Sequence, residues 1–223
     1  MHLIVIIASP TKASKSNTVT YTHEFLTGFS QQGATSEIFY LFDPAQWDDA
    51  DSAFVHGEHI LFALPLYNAM VPGIMMEFLE KLSAELMCDS SKDTPNDRKI
   101  SFLLHSGFPE SLQRKCCEEF LEKLPSKLNS LFSGILSHGN TLQIPFATSS
   151  NLKFTYEQLG KLFADNHCSF FFPEAKLFNE PACISKEDAQ MYNRIFRFFC
   201  EHTAQARNCA FPLDYKPYET NNE

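Results

Sequence analysis

Near its start the chain reads Leu3-Ile4-Val5-Ile6-Ile7-Ala8, followed directly by Ser9-Pro10-Thr11-Lys12-Ala13-Ser14-Lys15-Ser16-Asn17-Thr18. The first part is short, continuous and rich in β-branched residues, which is typical of a strand buried on both faces of a parallel sheet. The second part, which we call the first loop, is polar and rich in hydroxyls. The chain therefore begins with a buried strand that opens onto a polar turn.

A helix is predicted to follow the first loop. Apolar residues recur there at helical spacing, and Ser16 or Asn17 is placed to cap the helix. The amide groups of its first turn would point back at the loop, where the hydroxyls and the helix dipole favour an anion. Because the loop contains no glycine, it matches neither the nucleoside-triphosphate motif nor the dinucleotide motif. The first loop therefore favours an anion such as a phosphate, and considered alone it also fits a polar turn that only caps the helix.

The composition limits the classes of function. A chain of 223 residues with 44% hydrophobic residues and 22 Phe has enough apolar material for one large domain. A net charge of −9 and a pI near 5.4 argue against nucleic-acid or anionic-membrane partners. Seven cysteines without a C-x-x-C motif indicate reduced thiols, no metal cluster and a cytoplasmic location. No apolar run approaches the roughly 20 residues of a membrane span.

The pattern of strand, loop and helix recurs along the chain. Further strands are predicted at residues 35–41, 59–64, 99–105 and 130–136, and helices at 71–86 and 109–125. Residues 43–51 read as an acidic connection that can be partly helical and whose charges lie on a solvated surface, and residues 88–98 read as a loop. Such repeats predict an α/β fold with a doubly wound, five-stranded parallel sheet and helices on both faces. The predicted buried side of helix 109–125 carries Leu112, Cys116, Phe120 and Leu124.

After residue 140 the pattern changes to aromatic-rich helices without an intervening linker. We therefore predict a single domain over residues 1–223, with an α/β core in 1–140 and a helical extension in 141–223. The aromatic residues of this extension suggest a homodimer, and burial against the sheet accounts for them at least as well.

Two more loops follow predicted strands. The second loop begins Pro65-Leu66-Tyr67-Asn68-Ala69, and the third is Ser106-Gly107-Phe108-Pro109-Glu110. Ligands of doubly wound sheets bind at the carboxyl ends of the strands, where all three loops would lie. We therefore expect the loops to form one site.

In order, the three loops resemble those of the flavodoxin-like NAD(P)H-dependent FMN reductase family. The motifs are Ser-Pro followed by Ser-Asn-Thr, Pro-x-Tyr with a proline five residues after the Tyr, and Ser-Gly-Phe-Pro-Glu. The likeness covers residues 1–140 and implies the strand order 2-1-3-4-5. Ala8 and Thr11 depart from the family pattern, which has Gly and often Arg there.

The resemblance implies a set of FMN-binding residues, and none of them is a catalytic side chain. The phosphate would be held by Ser9, Ser16, Asn17 and Thr18. The isoalloxazine would be lined by Pro65, Leu66, Tyr67, Asn68 and Ala69, and closed on its other side by Ser106, Gly107 and Phe108. A hydride would pass from NAD(P)H to FMN and then on to a small-molecule acceptor.

Two other functions remain open at this stage. A flavodoxin-type electron carrier would share the flavin site without reacting with NAD(P)H. A binding protein that has lost FMN would keep only the fold.

Overall fold

The structure is a computed structural model. It describes residues 1–12, 15–88, 97–108, 111–139, 141 and 150–179, together with isolated helical positions between 186 and 202. Contacts divide the chain into two compact units, Met1–Ala182 and Cys183–Glu223. The described positions of the second unit are helical. That residues 1–223 form one domain stays a prediction.

A five-stranded parallel sheet forms the centre of the first unit. Its order is β2-β1-β3-β4-β5, which confirms the predicted doubly wound, flavodoxin-like arrangement. The strands are β1 (His2–Ile7), β2 (Thr35–Tyr40), β3 (His59–Pro65), β4 (Lys99–His105) and β5 (Leu131–His138).

Helices cover both faces of this sheet. They are α1 (Asn17–Ser30), α2 (Trp47–His56), α3 (Gly73–Cys88), α4 (Ser111–Lys127), α5 (Ser150–Asp165) and α6 (Pro173–Asn179). Along β1 the side chains alternate, as the pleat requires. Leu3, Val5 and Ile7 join a core cluster with α1 and α5, whereas Ile4 and Ile6 join a cluster with α2, α3 and α4. Helix α5, which lies in the predicted extension, thus packs in the core of the first unit.

Residues 44–51 are helical, in agreement with the partly helical reading of 43–51, but one of their carboxylates is buried. They form a short 3-10 helix, Pro44–Gln46, and the first half of α2. Asp51 is buried, and its Oδ2 lies 3.8 Å from Nζ of Lys81. This ion pair joins α2 to α3. The expectation of a solvated surface is therefore wrong at Asp51, because the partner of this carboxylate is distant in sequence.

The predicted buried side of α4 is confirmed at Leu124, which is buried, and in part at Phe120, which is half-buried against the core, but it is wrong at Leu112 and Cys116. Cys116 is exposed and Leu112 is 78% exposed. The buried residues are Arg114, Cys117, Leu121, Leu124 and Pro125, so the helix also continues past the proline where it was expected to end. The apolar pattern does not reveal the buried face of α4, because this face includes Arg114. The Nε of Arg114 donates to Ser137 Oγ at 2.8 Å and lies 3.5 Å from Glu118 Oε1. Pro109, Glu110 and most of the predicted loop 88–98 lie outside the described residues.

Helices α1 and α5 are in backbone contact through two glycines. A Cβ built on Gly28 would lie 1.8 Å from the carbonyl oxygen of Glu157, and one built on Gly160 would lie 1.9 Å from that of Phe25. Because backbone cannot give way as a flexible side chain does, both positions require glycine. Around this crossing Phe25 and Phe163 pack with ring centroids 5.3 Å apart. Close approach of the two backbones therefore fixes the position of α1 on the sheet.

We predict that Gly160→Ala lowers the free energy of unfolding by about 2–3 kcal/mol, because its methyl group would force the two helices apart. Gly73→Ala is the matched control, since a Cβ at this helical position would have no neighbour within 4 Å. It should leave stability unchanged or raise it slightly. Urea unfolding of both variants measures the difference. Equal stabilities for the two variants would contradict the account of this contact.

Candidate functional site

The three loops begin side by side at the carboxyl edge of the sheet. Backbone hydrogen bonds extend the pairing beyond the strands, from Ala8 N–H to the oxygen of Ala63 at 2.8 Å and from Leu66 N–H to that of His105 at 2.8 Å. Between β1 and β3 the crossovers turn to opposite sides of the sheet, which is where ligands of doubly wound folds bind. The structure therefore brings the predicted loops to one place.

Ser9 and Ser16 close the first loop by bonding to each other. Ser16 caps α1 by accepting from the Val19 N–H at 3.4 Å, and its hydroxyl donates to Ser9 Oγ at 3.0 Å. Ser9 Oγ also accepts from the Thr11 N–H at 3.3 Å. The two serines are 2% and 4% exposed. The hydroxyl proton of Ser16 is used in the bond to Ser9, so the hydroxyl proton of Ser9 is the one that the pair can donate to a ligand.

The exposed groups of the first loop are of a different kind. Asn17, the first residue of α1, is exposed, and so are the side chains of Lys12 and Lys15. The residues at and just before the helix N-terminus thus carry an exposed amide and two exposed ammonium groups, and the helix dipole favours negative charge there. Ser14, one of the hydroxyls noted in the sequence, lies outside the described residues.

Thr18 faces the interior. Its side chain is 1% exposed, and its Oγ1 lies 2.7 Å from Nε2 of His105, at the end of β4. The residue that sequence reasoning grouped with the phosphate contacts therefore joins α1 to the strand that carries the third loop. The pattern Ser-Asn-Thr alone gives no signal of this, because the partner lies 87 residues away.

The second loop is a tight, strained hairpin. Tyr67 and Met70 exchange both backbone hydrogen bonds at 2.9 Å. Between them Asn68 and Ala69 have φ values of 47° and 65°. Two successive positive φ values are typical of a type I′ turn, which most side chains disfavour by roughly 1–2 kcal/mol per residue. The turn leaves Tyr67 47% exposed at the edge of the site, next to the half-buried Pro65 and Leu66.

The third loop is held by its own serine and by a residue that the sequence did not suggest. Ser106 Oγ accepts from the Phe108 N–H at 3.3 Å. The carbonyl of Ser106 accepts from the backbone N–H of Thr141 at 3.1 Å and from its hydroxyl at 2.8 Å. Ser106 is 2% exposed, whereas Gly107 and Phe108 are half-buried. Of the residues of this loop that the structure describes, Gly107 and Phe108 therefore remain accessible.

Four aromatic rings, those of His105, His138, Tyr21 and Tyr156, pack together beneath the loops. Burial, with a smaller effect of His138, lowers the pKa of His105 to about 3. Burial and the Arg114 guanidinium lower the pKa of His138 to about 4. Tyr156, whose hydroxyl lies 3.2 Å from His138 Nδ1, stacks on Tyr21 at 5.0 Å, and burial raises both tyrosine pKa values. At neutral pH all four rings are neutral.

A cavity of about 810 Å³ lies elsewhere, along the edge strand β5 between α4 and residues 170–176. Phe132 and Phe171 form part of its apolar wall, with ring centroids 5.7 Å apart. Among its charged lining residues, Lys115 Nζ and Glu119 Oε1 are 4.0 Å apart, so their opposite charges largely cancel. None of the predicted site residues lines this cavity. The candidate site is thus the more open surface formed by the loops.

The buried histidines predict a pH dependence of stability. Their folded pKa values lie below the ordinary value of 6.5, so the unfolded chain takes up protons first as the pH falls. The free energy of unfolding should fall below about pH 6.5 by ~1.4 kcal/mol per pH unit for each histidine, down to about pH 4 for His138 and about pH 3 for His105. Urea unfolding between pH 7 and 5 measures this slope. His105→Gln should remove the contribution of one histidine, and parallel curves for variant and wild type would contradict the assignment.

Comparison with solved structures places the fold among known ones. An FMN-dependent NADH-azoreductase from Bacillus anthracis, solved in complex with FMN, is 13% identical and aligns over 74% of this chain and 100% of its own, with a TM-score of 0.53. An NAD(P)H:quinone oxidoreductase from Methanothermobacter marburgensis is 14% identical over 75% of this chain and 96% of its own, with a TM-score of 0.52.

An NADH:FMN oxidoreductase in its apo form gives a TM-score of 0.57 at 14% identity, over 81% of this chain and 96% of its own. No protein-family model matches the chain, and no curated protein matches it in sequence. Among the described residues no helix is long and apolar enough to cross a membrane. At these identities the likeness establishes the fold alone: the chain has the flavodoxin-like fold of these reductases.

Proposed function

We propose that this protein is an FMN-dependent oxidoreductase that takes a hydride from NADH or NADPH and passes electrons to a small-molecule acceptor. The observation that carries the proposal is that the three loops lie together at the carboxyl ends of β1, β3 and β4. The carboxyl ends of β1 and β3 are the position at which the same strand order binds FMN in flavodoxin. Structural likeness to reductases that use FMN supports the same cofactor.

The first loop offers groups that fit a phosphate dianion. Asn17 supplies an exposed amide, the Ser9–Ser16 pair keeps one hydroxyl proton, and the first turn of α1 presents backbone N–H groups. Lys12 and Lys15 add positive charge. Thr18 contributes through its place in the first turn, because its hydroxyl bonds to His105. Ala8 is fully buried, so its methyl group already fits below the loop.

The second and third loops offer groups that fit a flat heterocycle with polar edges. Tyr67 presents an exposed aromatic ring, and the turn at Asn68 and Ala69 sets its backbone in a fixed shape. Gly107 has no side chain and so lets the ring approach the backbone of the third loop. When bound, FMN would supply the redox chemistry. The residues of this chain would bind it, orient it and exclude water from one side.

The class of acceptor is part of the proposal. The structural neighbours include an azoreductase and a quinone oxidoreductase, so we propose a flat, electron-poor molecule such as a quinone or an azo compound. An acceptor of this shape can stack on the flavin where the nicotinamide stacked before. This requires one face of the flavin ring to be open. The exposed position of Tyr67 beside the hairpin fits such a face. A cytoplasmic location, expected from the reduced thiols, belongs to the same proposal.

The function is tested by adding FMN to the purified protein. We expect a yellow complex of micromolar or tighter affinity that NADH or NADPH bleaches and that a quinone or azo dye reoxidises. Asn17→Ala should weaken FMN about tenfold, the value of one charge-assisted hydrogen bond, and leave riboflavin unchanged, because riboflavin lacks the phosphate. Thr27→Ala, an exposed change at the far end of α1, is the control and should alter neither affinity.

Other outcomes would identify the alternatives. Binding of FMN without reaction with either nicotinamide nucleotide, together with a stable one-electron form, would indicate an electron carrier. A protein that stays colourless at micromolar FMN would contradict the proposal and leave a flavodoxin-fold binding protein.

We also propose that the protein is a homodimer. Several large apolar side chains of the first unit are exposed, namely Leu112 at 78%, Phe171 at 69% and Phe154 at 62%. Burial of such side chains in a subunit interface is favourable at about 25 cal/mol per Å². Light scattering should give twice the mass of the chain from low micromolar concentration upward. The monomer mass over the whole range would rule out the dimer.

A further inference from the structure

His105 lies between two elements that carry different parts of the proposed site. Its Nε2 is 2.7 Å from the Thr18 hydroxyl in the first turn of α1, and its Nδ1 is 3.5 Å from the Thr141 hydroxyl. Thr141 in turn binds the carbonyl of Ser106, at the start of the third loop. Thr18, His105, Ser106 and Thr141 are all 6% exposed or less. One imidazole therefore connects the first loop with the third inside the protein.

The direction of these hydrogen bonds follows from counting protons. The Thr141 hydroxyl has one proton and donates it to the Ser106 carbonyl at 2.8 Å. Toward His105 it can only accept, so Nδ1 must carry the hydrogen. A neutral imidazole then has a bare Nε2, which accepts from the Thr18 hydroxyl. Burial lowers the pKa of His105 and so keeps the imidazole neutral, as this arrangement requires.

The chain of hydrogen bonds thus runs one way, from Thr18 through His105 and Thr141 to the backbone of Ser106. The bond at 3.5 Å is its weakest member, because it is at the limit of hydrogen-bond length. The bond to Thr18 is the shortest. A directional chain of this kind permits one arrangement of its donors, so it holds both of its ends in a single relative position.

We propose that His105 is a positioning residue. Its neutral imidazole, with the hydrogen on Nδ1, fixes the first turn of α1 against the third loop. This inference rests on the proposed function for its effect on a ligand. The phosphate end of FMN would contact the first turn and its ring would contact the third loop, so their spacing must match the length of the cofactor. His105 sets that spacing without touching the cofactor.

The first test needs no ligand. Thr18→Val removes the donor at one end, and amide NMR spectra should show shifted signals of Gly107 and Phe108, on the other element. Thr22→Val is the matched control. Thr22 lies one turn further along α1, is equally buried, and donates only to the backbone oxygen of Thr18 at 2.8 Å. It should leave the signals of the third loop unchanged. Equal effects of the two variants on that loop, or no effect of Thr18→Val, would overturn the proposal.

The second test measures FMN and riboflavin affinity in variants of His105. His105→Leu should weaken FMN about tenfold, the worth of a buried hydrogen bond, and riboflavin less than twofold, because riboflavin does not span both loops. His105→Gln, whose side-chain oxygen can accept from Thr18, should restore most of the FMN affinity. A merely structural role would weaken both flavins equally, and that result would overturn the proposal. If the wild type bound neither flavin, the proposed function would fail, and the NMR comparison would still decide whether the chain of hydrogen bonds exists.

Discussion

The position of helix α1 is the constraint on which the rest of the structure depends. Near the C-terminal end of this helix, Gly28 lies against the backbone of α5. At its N-terminal end, Thr18 in the first turn forms a hydrogen bond with His105. Between these points Tyr21 stacks on Tyr156. Three different interactions, namely backbone contact, ring stacking and a buried hydrogen bond, therefore fix one rigid body relative to the sheet. The first turn of such a helix therefore has its position decided before any ligand arrives.

This arrangement separates the groups that support the site from those that face it. Ser16 and Thr18 use their hydroxyls within the protein, whereas Asn17 between them is exposed. The alternation is a consequence of the first helical turn, in which successive residues point in different directions. Beneath it, His105 and His138 remain neutral because burial disfavours their charge. A negatively charged ligand at the first loop would thus be met by dipoles and by the exposed Lys12 and Lys15, above two histidines that carry no charge at neutral pH.

Much of this could be predicted from the sequence because it depends on local patterns. Continuous β-branched runs identified the strands, since strands buried on both faces have little polar content. The limits of β4 agree with the prediction at both ends, and Ser16 caps α1 as the sequence suggested. The position of the loops at one edge follows from the strand order, which any doubly wound sheet imposes on its carboxyl ends.

The features that the sequence did not reveal depend on partners that are distant along the chain. Asp51 reads as a surface carboxylate until Lys81 is placed beside it. The buried face of α4 contains Arg114, which no apolar pattern would place inside without Ser137 and Glu118. For the same reason the sequence does not show the hydrogen bond between Thr18 and His105, because it joins residues that are 87 positions apart.

The central claim is that the three loops form one site for a single flavin, and amide NMR spectra recorded during addition of FMN test it most directly. The account predicts that the largest shifts fall in all three loops together, at residues 9–18, 65–69 and 106–108. Signals of Phe132, Ile135 and Phe171, which line the cavity along β5, should stay in place. Shifts confined to that cavity, or to one loop, would contradict the account.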